Sequence, residues 1–87
     1  MTYESPDWFR VQAGISLRNA VRVLTGPRHA ENRISRIARQ TVVARERRNA
    51  VIARRVAARL EAGETLANAQ RIEGHMDRNV RVIALGF

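Results

Sequence analysis

The sequence predicts an all-α fold: a small helical domain with an N-terminal helix-turn-helix-like hairpin, a long basic helical segment and an extended C-terminal arm. Three observations predict it. Capping residues precede, and glycines follow, several stretches whose apolar residues recur at three- and four-residue spacing. Residues 30–62 contain neither Pro nor Gly. Only one run, near the C-terminus, alternates like a strand, and a lone strand has nothing to pair with inside this chain. At 87 residues there is room for one domain, 1–87, and a chain of this size buries only about 60% of the surface it exposes unfolded.

The elements follow in order. Ser5-Pro6-Asp7 reads as a helix start, with Ser5 as cap, Pro6 at the first helical position and Asp7 complementing the dipole. That helix is expected to reach about Ala13 and stop at Gly14. Ser16 then caps a second helix in which Leu17, Ala20, Val21 and Leu24 form one apolar face, ended by Gly26-Pro27. These two helices make the hairpin of residues 5–26. In the segment 30–62, Ile34, Ala38, Val42, Ile52, Val56 and Leu60 lie on one stripe, interrupted by Arg45, Arg48 and Asn49. It is either one long helix with a solvated middle or two helices broken near Arg45 to Asn49, and Gly63 closes it. Thr65 caps a short helix, Leu66 to Glu73, that ends at Gly74. Beyond Asp77, Val80, Val82 and Ala84 alternate with Arg81, Ile83 and Leu85, the pattern of a strand or an extended arm. The count is four or five helices plus the arm.

Charge narrows the class of partner. The formal net charge is +8, all 16 basic residues are Arg, and residues 10–59 hold 13 of them against only Glu31 and Glu46. Helix faces usually intersperse acids at four-residue spacing to offset repulsion, and here Glu46 is almost alone. Such a field attracts a polyanion by phosphate contact and counterion release, over a reach of about 8 Å at physiological salt. Thirteen alanines and four aromatics make a small core, which favours burial against a second copy or a partner. The expected partner is therefore nucleic acid, DNA before RNA, bound by a homo-oligomer or larger assembly built through the C-terminal arm.

The spacing Ser5 to Ala13 and Ser16 to Thr25 around Gly14 matches a helix-turn-helix, whose second helix would turn Leu17, Arg18 and Arg22 toward DNA. Ala13-Gly14-Ile15-Ser16, followed by Arg22-Val23-Leu24-Thr25-Gly26, resembles the headpiece of lactose-repressor-type transcription factors. A third helix from about Glu31 would follow the loop containing His29, and Asn49-Ala50, Ala53-Arg54 and Val56 resemble their linker helix. The resemblance spans residues 5–57. It implies that Arg18 and Arg22 contact bases or phosphates, that Leu17 packs on the groove and that Val56 is the apolar wedge of the minor groove. Arg10, Arg45 and Arg47 depart from it, standing where the family has small, apolar and aromatic core residues. Nothing after residue 57 resembles the effector-binding domain. A shorter stretch, Leu60-Glu61-Ala62-Gly63 with Leu66, Gln70 and Gly74-His75, is similar to the segment before the active site of tyrosine recombinases. Their nucleophilic tyrosine would fall at Ala84, so strand cleavage is not implied.

The densest basic run adds Arg33, Arg36, Arg39, Arg47, Arg48, Arg54, Arg55 and Arg59 as phosphate-facing groups. Other chemistry finds little to stand on. There is no cysteine, and His29 and His75, the only histidines, have no His, Asp or Glu at the three- or four-residue helical spacing of a metal site. His75 sits after Gly74, where a carbonyl-capping group is expected. No nucleophile, base and orienter can be assembled, so the chain is expected to be no enzyme and to hold no cofactor. No apolar run approaches a membrane span, and the N-terminus lacks signal-peptide order, which points to the cytoplasm or the inside of a phage particle. The leading expectation is a small DNA-binding regulator of phage or mobile-element type. The alternatives are a structural component of a nucleoprotein assembly, virion or ribosome-associated, binding phosphates without reading sequence, and an inhibitor that binds an acidic protein surface.

Overall fold

The Ser5 hydroxyl accepts a hydrogen bond from the Trp8 backbone N–H at 3.2 Å, and Pro6 and Asp7 fill the first turn of the helix it caps. That helix is α1 (Pro6–Thr25), and a computed structural model of the chain follows it with α2 (Arg33–Glu61) and α3 (Leu66–Glu73). The structure describes residues 1–26 and 33–77, the side chains of Arg33 and Ile34 aside. Among the described residues every regular element is a helix, so the all-α expectation holds. The expected C-terminal arm lies outside them from Arg78 onward.

The expected break at Gly14 does not occur. Residues 6–25 are one helix of 20 residues, and no helix-turn-helix hairpin forms within 5–26. A glycine inside a helix costs about 1 kcal/mol relative to Ala. Against this, burying one large side chain such as Phe9 is worth about 2–3 kcal/mol. Phe9, Ala13, Ser16 and Ala20 are all buried, and they share one face of α1 only if the helical register passes unbroken through residue 14. Packing therefore outweighs the local signal.

α2 settles the alternative left open by its polar interruptions: it is one helix of 29 residues, about 44 Å long. Its end is a Schellman turn, with Gly63 at φ +92°, the Gly63 N–H donating to the Leu60 carbonyl at 3.1 Å and the Glu64 N–H to the Arg59 carbonyl at 3.0 Å. Thr65 then caps α3 by accepting from the Asn68 N–H at 3.2 Å, and Gly74, again at φ +92°, donates to the Gln70 carbonyl at 2.8 Å. Both short-range readings of α3 are confirmed.

α1 and α2 pack antiparallel. Arg10 near the start of α1 reaches Glu61 at the end of α2, and Leu24 near the end of α1 lies beside Arg36 and Val43 in the first half of α2. The core gathers Phe9 and Ala13 of α1, Ala50, Ile52, Ala53, Val56 and Ala57 of α2, and Ala69 of α3, flanked by Trp8, Leu17, Leu60, Leu66 and Met76. Alanines at the crossing let the backbones approach closely, which is how a core with few large side chains is filled. Val42, Ile52 and Val56 of the predicted stripe are buried, and Ile34 lies outside the described side chains. Two rows of α2 are apolar because two helices cover it, α1 along much of its length and α3 only at its end.

Candidate nucleic-acid interface

The fold sorts the charges along its length. Four carboxylates gather where the start of α1, the end of α2 and α3 meet. Asp7 and Glu61 pair with Arg10, Glu64 and Glu73 pair with Arg59, and Glu73 lies 3.8 Å from Arg55. The hydrogen bond to Glu61, reinforced by Asp7, raises the Arg10 guanidinium above its ordinary value, and the bond to Glu73, with help from Glu64, does the same for Arg59. Arg10 and Arg59 are thereby committed to structure, with Arg59 Nε donating to Glu73 at 2.7 Å.

The rest of the rod is different. Arg18 and Arg22 of α1 and Arg36, Arg47, Arg48 and Arg54 of α2 are exposed, and among the described residues none has a carboxylate within ion-pair distance. Arg36, Arg39 and Arg47 line a groove of about 400 Å³ between α1 and α2, floored by Leu24, Val43 and Ala44 and edged by Gln40. Arg39 is half-buried there, and Arg10 and Arg54 flank a second hollow further along. Arg55 is exposed beside Arg54. The side chain of Arg33, the first residue of α2, lies outside the described set.

Nine of the ten predicted contact residues thus have described side chains, and eight of these are arginines on open or groove-lining surface. Leu17 is the correction: it packs against the core beside Phe9 and Ala13, so it is not a groove-facing residue. A continuous α1 places residue 17 on the same side as Ala13 and Ala20, three or four residues away on either side, and that side faces α2. Val56, the wedge the repressor resemblance implies, is wholly buried in the core.

Of the two options for Arg45 to Asn49, a solvated middle of one helix or a break between two, the helix is unbroken, but part of the segment is buried rather than solvated. Glu46 is 4% exposed and its Oε1 accepts from Arg45 Nη2 at 3.0 Å, while Asn49 is fully buried. The Asn49 amide is satisfied at both ends by one backbone unit: Nδ2 donates to the Asp77 carbonyl at 2.8 Å, and Oδ1 accepts from the Asp77 N–H at 2.7 Å. Glu46 and Asn49 share the row that continues through Ala53 and Val56. That spacing was the available signal: polar residues on an apolar row are buried if partners exist elsewhere in the chain.

Among the described residues no three His, Cys, Asp or Glu side chains gather as a metal site, and no helix is long and apolar enough to cross a membrane. No protein family, curated protein or solved structure matches the chain.

Proposed function

We propose that this chain binds nucleic acid through phosphate contacts made by the arginines of the second half of α1 and of α2. One observation underlies this reading. Asp7, Glu61, Glu64 and Glu73 are gathered at one end and Glu46 is buried against Arg45, while Arg18, Arg22, Arg36, Arg47, Arg48 and Arg54 remain exposed without ion pairs among the described residues. Six like charges on two adjacent helices repel one another, and a bound polyanion removes that cost. Phosphate contact fits better than base reading by a helix-turn-helix, because the single α1 supplies no separate recognition helix.

The test is fluorescence anisotropy on a labelled duplex at graded salt. With about five phosphates neutralised, log affinity should fall against log salt with a slope of about −4.5, roughly 500-fold between 50 and 200 mM. Replacing Arg36 and Arg47 together by Ala should flatten the slope by about 2. No binding, or binding indifferent to salt, overturns the proposal.

A further inference from the structure

The exposed side of α2 carries a pattern that the phosphate reading does not by itself require. On a helix, the four surface neighbours of a residue are those three and four positions before and after it. For Val51 these are Arg48, Arg47, Arg54 and Arg55. All four are exposed, Val51 itself is 46% exposed, and Arg55 keeps 68% of its side-chain surface beside its long contact with Glu73. Ala44 and Ala58, one heptad to either side of Val51, are exposed too. The face is therefore a low apolar ridge between two arginine rows, 47/54 and 48/55, each with its members about 10 Å apart along the axis.

We propose that this face of α2 lies in the major groove of duplex DNA. Arg47 and Arg54 meet phosphates of one strand, Arg48 and Arg55 those of the other, and Val51 is turned to the groove floor. The inference rests on the nucleic-acid reading above and adds the face, the groove and the preference for DNA. Charge complementarity selects the occupant: a second copy of the same face would set arginines against arginines. A B-form major groove, about 12 Å wide, admits a helix, whereas the major groove of A-form RNA is deep and too narrow for one. Small, exposed residues at 44 and 58 let the helix axis approach, and the neighbouring helices meet this face only at its edges, where Arg47 borders the groove shared with α1 and Arg55 and Ala58 lie beside Glu73 of α3.

The experiment uses the full chain at saturation on a DNA duplex, reading dimethyl sulfate methylation of guanine N7, which lies in the major groove, alongside affinities for DNA and RNA duplexes of one sequence. Expected are protection of N7, RNA affinity about tenfold or more below DNA, and a loss of about tenfold or more for Val51→Glu, which sets a carboxylate among phosphates. Circular dichroism shows whether that variant is folded; if it is not, the wild-type footprint and the DNA-to-RNA ratio decide. DNA binding with N7 unprotected, equal affinity for RNA, or a folded Val51→Glu that binds like wild type overturns this proposal and leaves the phosphate reading intact. Failure to bind either duplex overturns both, and polyglutamate bound as tightly as DNA would assign the face to an acidic protein.

Discussion

Asn49→Ala is the most informative stability variant. The side chain is fully buried on the core row of α2, yet both its hydrogen bonds go to the backbone of Asp77, 28 residues away. Each bond is worth about 1 kcal/mol net, since the exposed Asp77 backbone regains water when released. The vacated space adds about 1 kcal/mol, and the better helix propensity of Ala returns about 0.6 kcal/mol. The sum is a loss of about 2–2.5 kcal/mol, which for a domain of this size lowers Tm by roughly 10–15 °C. Thermal melts by circular dichroism measure the global loss. Amide exchange measures the local one: protection of the Asp77 N–H should vanish while amides in the centre of α2 change only with global stability. Asn49→Asp should cost more at pH 7, because it keeps the acceptor but turns a second oxygen toward the Asp77 carbonyl and buries a charge. A change below about 0.5 kcal/mol in Asn49→Ala, with Asp77 exchange unaltered, would refute the clamp.

Gly14→Ala should stabilise by about 0.5–1 kcal/mol in urea titration, because the position is helical and an added Cβ meets nothing within 4 Å; destabilisation would mean a turn there after all. Gly63→Ala should destabilise by about 1–2 kcal/mol in the same assay, since φ is +92° at the Schellman turn although space is available. Phe9→Ala should cost about 3–5 kcal/mol and leave a largely unfolded chain, read by loss of helical ellipticity. Arg59→Ala removes the pairs to Glu64 and Glu73 on a partly exposed side chain, so a small drop in Tm is expected, shrinking as salt is raised.

The local chemistry of this chain was legible in its sequence. Ser5-Pro6-Asp7, Gly63, Thr65 and Gly74 mark helix ends where the structure has them, because caps and left-handed glycines act within a few residues and need no partner. The concentration of arginine in residues 10–59 likewise required no fold to be read. Three things were decided by tertiary structure. Gly14 stays helical and Leu17 turns inward because burial of the Phe9 to Ala20 face on α2 outweighs a glycine's local preference. α2 remains whole through Arg45 to Asn49, where a neighbouring guanidinium pairs with one oxygen of Glu46 and a distant backbone unit satisfies Asn49, partners that spacing alone does not name. The clamping of one end by four carboxylates, with six exposed arginines left unpaired among the described residues, arises only when the antiparallel packing brings Glu61 to Arg10 and Glu73 to Arg59. Sequence sets what each segment can form by short-range sterics and hydrogen bonding; which of those options survives is set by the apolar area that only the packed helices can remove from water.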